Sequence, residues 1–311
     1  MQRLLITCPP MLGKKDYFLP RLRERGFDVH CPDVAQTLSE AELMELVPQF
    51  DAWIIGDDPA TRRVLAAGAE GRLRVAVKWG VGVDNVDRDV CAELGLAFAN
   101  TPQMFGAEVA DVALGYVIAL ARHTFAIDRG VREGGWPKPR GISLTGKTVA
   151  VVGYGDIGRA TVSRLQACEL NVIVYDPARS SADLPPGMRL LSWPEGVEEC
   201  DFLVFTCALT AANRHMLDVG VLERCKQGVR VVNVARGPLI DEQALIEALE
   251  SGQVQSAALD VFELEPLPMN SPLRKHPYCV FGSHNGSNTE EGVFRASDKA
   301  IELVEGFLQN P

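Results

Sequence analysis

The stretch Val149-Ala-Val-Val-Gly-Tyr-Gly-Asp-Ile-Gly158, followed by Val172-Ile-Val-Tyr-Asp176, decides the fold. Its first apolar run has the continuity of a buried parallel strand. Three glycines follow at the spacing Gly153, Gly155, Gly158. Gly153 suits a tight turn, Gly155 lets backbone approach a pyrophosphate, and Gly158 lets a helix press on the sheet. The helix that opens there, residues 159–168, aims its positive N-terminal end at phosphates. A second strand ends in Asp176, about 20 residues on, where a ribose-binding acid belongs. Strand, glycines, helix, strand and acid in this order predict a dinucleotide site, with Gly153, Gly155, Asp156, Ile157, Gly158 and Asp176 around the cofactor. Asp176 favours NAD over NADP, because two like charges 4 Å apart cost about 4 kcal/mol at an effective dielectric of 20. Arg179 works against that preference.

Working outward, strand signals recur at residues 202–207, 229–234, 257–261 and 280–282, with helical stretches at 211–222 and 242–251 between the first three. They complete the two halves of a doubly wound parallel sheet. Before residue 100, apolar runs at 4–8, 52–55 and 75–78 alternate with helical spacing at 15–25 and 40–47, which predicts a smaller parallel α/β unit without its own glycine fingerprint. Asn100-Thr101-Pro102 breaks that pattern and marks a boundary or hinge. Residues 107–122 are small and apolar on every side, as in a helix buried between elements. Residues 289–308 carry the spacing of an amphipathic terminal helix.

The 311 residues suit one or two domains, and 47% hydrophobic content with few aromatics suits a large aliphatic core. A net charge of −10 argues against nucleic acid or an anionic membrane as partner. The eight cysteines show no CxxC or paired metal spacing, so buried thiols in a reducing cytoplasm are expected. The apolar run at residues 4–6 is too short for a signal peptide and reads as a first strand, and no run has the length of a membrane helix.

Three side chains at predicted strand ends carry chemistry: Arg236, beside Gly237-Pro238; Glu265, before Pro266; and His284. A guanidinium there can grip a carboxylate in two-pronged fashion. A His–Glu pair keeps an imidazole oriented to exchange a proton near neutral pH. Glu263 competes with Glu265 for that role. His30, His123, His215 and His276 lack such a context and read as structural or exposed.

With these residues in place, the chain resembles the D-isomer-specific 2-hydroxyacid dehydrogenases, the family that includes D-3-phosphoglycerate dehydrogenase. The match runs nearly end to end through Gly80-Val-Gly-Val-Asp-Asn-Val86, Asn100-Thr-Pro102, the glycine fingerprint, Val232-Asn-Val-Ala-Arg-Gly-Pro-Leu-Ile-Asp241, Leu259-Asp-Val-Phe-Glu263 and the segment around His284. The resemblance implies two Rossmann-like domains, with an NAD-binding domain at 101–282 inserted into a substrate domain formed by 1–100 and 283–311. It implies Arg236, Glu265 and His284 as catalytic residues. It gives the carboxylate of a small anionic 2-hydroxy or 2-keto acid to the amides of Gly80, Val81 and Gly82, with Lys78 as a second anion contact. Asp260 falls where the family orients the nicotinamide carboxamide, and Cys207, Ala208 and Ala235 fall on the cofactor rim. A homodimer through residues 107–141 is implied as well. Because the chain stops at Pro311, a C-terminal regulatory domain and its feedback control are not expected.

Two positions depart from the family pattern. The histidine commonly follows Thr-Pro, but here it follows Gly282-Ser283, and a usual proline is replaced by Ala208. The substrate stays open among 3-phosphohydroxypyruvate, glyoxylate, hydroxypyruvate and a sulfonated analogue. The alternative to an enzyme is an NADH-sensing, corepressor-like binding protein of the same fold. Formate dehydrogenase is a rival within the fold, although its lineage lacks the partner that Glu265 supplies.

Overall fold

A computed structural model describes residues 1–309. The chain divides into two compact units, Met1–Met104 with the described residues from Asn288 onward, and Phe105–Ser287.

In the first unit, β1 (Gln2–Ile6), β2 (Phe27–His30), β3 (Ala52–Ile55), β4 (Val75–Lys78) and β5 (Ala97–Asn100) form one parallel sheet in the order β2-β1-β3-β4-β5. The central strand β3 is apolar and buried throughout, as are Leu4–Ile6 of β1 and Val75–Val77 of β4, the pattern of a parallel sheet covered on both faces. The helix Glu40–Leu46 starts at a capping box between Ser39 and Glu42, and Thr61 caps Arg62–Glu70. Trp53, Ile55 and Leu65 lie in the core on one face. The helix Glu290–Gln309 turns Val293, Ala296, Ala300 and Val304 inward, and Trp79 Nε1 donates to Ser297 Oγ at 3.0 Å. Each of the two valines contributes about 1.5–3 kcal/mol on burial, and each alanine methyl about 0.8 kcal/mol.

The second unit holds β6 (Thr148–Val152), β7 (Asn171–Tyr175), β8 (Arg189–Leu190), β9 (Phe202–Phe205), β10 (Val229–Asn233), β11 (Val254–Leu259) and β12 (Val280–Phe281), all parallel, in the order β12-β11-β10-β9-β6-β7-β8. The strand order reverses between β6 and β9, the point at which open α/β sheets bind ligands. Register decides what meets there. Val152 pairs with Tyr175 and Phe205, Asn233 with Phe205 and Leu259, and Leu259 with Phe281. The strands therefore end flush, and Gly153, Asp176, Thr206, Val234, Asp260 and Gly282 line one edge.

Three sequence expectations change. The helix expected at 211–222 is only Val219–Arg224, because Asn213 Oδ1 accepts from Thr210 N at 2.7 Å in a preceding turn and Asp218 caps Val221 N. Strands β2, β5 and β8 were not expected. The units divide at 104/105 and 287/288 rather than at 100/101 and 282/283. Thr101 Oγ1 accepts from Gly80 N at 2.8 Å, which ties it to the first unit, and Asp260 binds the amides of residues 284–286, which ties them to the second.

Candidate active site

The glycine turn after β6 separates three physical roles. A Cβ on Gly153 would lie 2.6 Å from the Cys207 Cα, and one on Gly158 would run into the Gly153 carbonyl. Both glycines are therefore demanded by the chain's own packing. At Gly155 a Cβ would meet nothing within 4 Å, so this glycine faces open space. Close approach by a phosphate supplies a reason for it, and the helix Asp156–Ala167 opens at this residue. The Asp156 carboxylate lies against Gly106, so the side chain packs on a helix start and the backbone of Asp156 and Ile157 faces the turn. Asp176 Oδ2 accepts from Tyr154 N at 2.7 Å and Oδ1 from Ala178 N at 2.9 Å, and each oxygen keeps a lone pair for a ribose hydroxyl. Burial pushes the Cys207 thiol up to about 12, so at this rim it packs as an inert apolar group. Ala208 contributes its carbonyl, which accepts from Asn213 Nδ2 at 2.8 Å. Arg179 Nε is enclosed and makes no hydrogen bond among the described residues. The edge fits a dinucleotide.

Farther along the same edge stand the three chemical side chains. Asn233 shapes the Arg236 loop: its Oδ1 accepts from Ala235 N and its Nδ2 donates to Arg236 O at 2.8 Å. The Arg236 Nη1 donates to Ala235 O at 2.8 Å. A Cβ on Gly237 would collide with the Phe262 backbone, so only glycine lets this loop press on the one that carries Glu265. Glu265 Oε1 accepts from Phe262 N at 3.0 Å, and Oε2 lies 2.8 Å from His284 Nδ1. Glu265 is therefore the glutamate placed on His284. Glu263 Oε1 lies 2.7 Å from His215 Nε2 instead, which gives that histidine a partner the sequence had not suggested. His123 is buried against Tyr278.

In the first unit, Lys78 is only 3% exposed, with Nζ 3.2 Å from Asp57 Oδ1 and donating to Trp79 O at 2.9 Å. A solvated strand-end lysine does not describe it. The Gly80 amide is engaged by Thr101, so an anion arriving at this loop would use the amides of Val81 and Gly82. Asp260 holds the His284 loop as well as lying at the cofactor edge, and Tyr116, on the helix Gly106–Arg122, reaches it. The sequence carried no local signal for Tyr116.

Residues 114–286 match the D-isomer specific 2-hydroxyacid dehydrogenase, NAD binding domain. The chain belongs to the D-isomer specific 2-hydroxyacid dehydrogenase family. In this family member the matched domain takes in the glycine turn, Asp176, Arg236, Glu265 and His284. The hydroxypyruvate reductase of Thermotoga maritima is 35% identical over 281 residues, covering 88% of this chain and 89% of that protein. D-3-phosphoglycerate dehydrogenase 2, chloroplastic, of Arabidopsis thaliana is 34% identical over 310 residues, 99% of this chain but 48% of that protein. The chain thus spans about half the length of that relative. The NAD-dependent formate dehydrogenase of Staphylococcus aureus, solved in complex with NAD, superposes with a TM-score of 0.87 at 25% identity, covering 100% of this chain and 97% of that one. No single helix among the described residues is long and apolar enough to cross a membrane.

Proposed function

We propose that the chain transfers a hydride between nicotinamide and C2 of a small D-2-hydroxy or 2-keto acid, with hydroxypyruvate and 3-phosphohydroxypyruvate foremost among the substrates. The observation that carries this reading is the 2.8 Å contact between His284 Nδ1 and Glu265 Oε2, on the sheet edge that bears the glycine turn. Residues 153–158 and Asp176 hold the dinucleotide, which when bound supplies or takes the hydride.

The remaining work falls to side chains. An ionised Glu265 accepts from His284 Nδ1–H, which leaves Nε2 as the proton-exchanging atom. In reduction, Nε2–H delivers its proton to the C2 oxygen as the hydride arrives at C2; in oxidation it takes that proton back. Glu265 stabilises the imidazolium between these events. Arg236 grips the substrate carboxylate and polarises the C2 oxygen. Lys78, Val81 and Gly82 are assigned to the substrate's anionic groups, with Val81 and Gly82 supplying the amides, while Gly80, its own amide held by Thr101, shapes the loop. A homodimer through residues 107–141 belongs to the same reading, supported by Trp136 at 77% exposure and by the exposed Phe125 and Val131 in that segment.

The test is NADH oxidation with glyoxylate, pyruvate, hydroxypyruvate and 3-phosphohydroxypyruvate, for wild type and His284→Ala. At least one keto acid should turn over. The variant should lose about 10²–10⁴-fold in kcat, the ordinary contribution of a positioned acid/base group, and keep its NADH affinity. NADH binding without turnover on any keto acid would transfer the assignment to a sensor. A wild-type rate in His284→Ala would remove the histidine from the chemistry.

A further inference from the structure

We propose that Tyr116 is a positioning residue that acts through Asp260 on the loop carrying His284, and that Gly282 is the residue that makes room for it. The proposal deepens the dehydrogenase reading and rests on it for its catalytic consequence. Its structural core stands without a substrate.

The loop needs an anchor for a backbone reason. His284 sits at φ 56°, in the left-handed region that costs any residue other than glycine free energy and is held only by its surroundings. On the backbone side, one residue gathers the loop's amides. The Asp260 carbonyl accepts from His284 N at 2.7 Å, its Oδ1 from Asn285 N at 3.3 Å, and its Oδ2 from Gly286 N at 2.8 Å. Three consecutive amides of the histidine loop therefore converge on Asp260, which is 4% exposed. The carboxylate thus fixes the two residues that follow His284, and with them the course of its loop.

A buried carboxylate with only amides along one side is held from one direction. Tyr116 supplies the other. It projects from the helix Gly106–Arg122, and its hydroxyl lies 3.5 Å from Asp260 Oδ1, a long hydrogen bond to a charged acceptor. Burial, together with the neighbouring carboxylate, raises the phenol's pKa, so Tyr116 stays a neutral donor throughout the working range.

Gly282 explains how the hydroxyl gets there. Leu259 pairs with Phe281, so the next residues, Asp260 and Gly282, stand side by side. A Cβ at 282 would run into Asp260 Oδ1 and would lie 2.5 Å from the Tyr116 hydroxyl. Any side chain at 282 must displace the carboxylate, the phenol or both. Gly282 and the Tyr116 hydroxyl are thus two halves of one arrangement.

The experiment uses the full chain as Tyr116→Phe, Gly282→Ala and the double variant, on whichever keto acid the wild type reduces. Tyr116→Phe should lower kcat about tenfold, the fold-change of one hydrogen bond to a charged group, with KM for the keto acid and NADH affinity moved by less than about twofold. Gly282→Ala should lower kcat further. The double variant should be no worse than Gly282→Ala alone, because removing the hydroxyl removes one of the two collisions; such non-additivity marks direct coupling. A second arm needs no substrate: amide hydrogen exchange at residues 284–286 should quicken in Tyr116→Phe. An unchanged kcat in Tyr116→Phe, losses that multiply in the double variant, or a parallel fall in kcat and NADH affinity would each overturn the proposal. If the wild type turns over no keto acid, the dehydrogenase reading fails by itself, and unaltered exchange in Tyr116→Phe remains the result that rejects this one.

Discussion

The two sheets share an architecture and differ in what the chain does at the first strand's end. In the first unit the turn after β1 runs Cys8-Pro9-Pro10, and in the second the turn after β6 runs Gly153-Tyr-Gly155. Both turns press on a neighbouring strand's exit: a Cβ on Gly56 would lie 2.9 Å from Cys8 Cα, much as one on Gly153 would lie 2.6 Å from Cys207 Cα. Beyond that point they part. Two prolines remove two backbone donors from the β1 turn, whereas the β6 turn has no proline and leaves open space at Gly155. The β1, β3 and β4 ends are filled by Thr7, Asp58 and Lys78, all buried. A parallel sheet thus becomes a nucleotide site by leaving open space beside the helix that starts at its crossover edge.

The largest effect that can break this comparison is expected at Gly155. Its φ of −76° suits any L-residue, and the space beside it is open. Gly155→Val should therefore fold with nearly the wild-type melting temperature while its NADH affinity drops about 100-fold, or roughly 2.7 kcal/mol. Fluorescence titration with NADH, beside a thermal melt, checks both halves. Retained affinity would mean that the open space is not where phosphate comes to rest.

Asp58 probes the filled edge, with a smaller effect of opposite kind. Its Oδ2 accepts from the Thr7 hydroxyl and from Gly56 N at 3.2 Å, and its Oδ1 accepts from Leu38 N at 2.8 Å. An asparagine keeps only one acceptor oxygen, so a donor on one side loses its partner. Asp58→Asn should cost about 1–3 kcal/mol, the usual penalty for stranding a buried polar group. NADH affinity should not change. Hydrogen exchange resolved to β1 and β3 locates the loss, and a fall in NADH affinity instead would show that the filled edge serves the cofactor.

How far the sequence foretold this arrangement depended on whether a feature is local. The glycine turn, Asp176 and the central strands were legible because buried parallel strands are continuous apolar runs and the turn's constraints lie within a few residues. The missed strands β2, β5 and β8 are all sheet edges. Phe27–His30 alternates buried and exposed positions, Ala97–Asn100 is a short, alanine-rich and only half-buried run without β-branched residues, and Arg189–Leu190 is two residues long. In the site, Arg236, Glu265 and His284 were picked out as strand-end residues with chemical side chains. The choice between Glu263 and Glu265 was not local: it turns on Gly237 fitting against Phe262 and on which carboxylate then faces which histidine. The contact between Tyr116 and Asp260 spans 144 residues, and its one trace in the sequence was the glycine where a threonine is usual.

The smallest effect sharpens the comparison through pH, because each unit holds a titratable group, Asp58 buried and His276 half-buried, that prefers to be neutral. Burial raises the pKa of Asp58, so its contribution is present below the unfolded carboxylate value of about 3.9 and is lost as pH rises through the higher folded value. His276 is the reverse. Burial lowers its pKa, and its Nδ1 has no hydrogen-bond partner among the described residues. Its contribution is present above the unfolded value of about 6.5 and is lost as pH falls through the lower folded value. Taking the protein from pH 7.5 to 5.5 should therefore loosen the second unit, whereas proton uptake by Asp58 acts in the opposite direction on the first. Hydrogen exchange near β12, just beyond His276, should quicken on acidification while β1 and β3 hold steady. His276→Gln, which cannot take up the proton, should flatten that response. If the variant acidifies like wild type, the loosening has another source, and the two units do not differ in the sign of their buried charge.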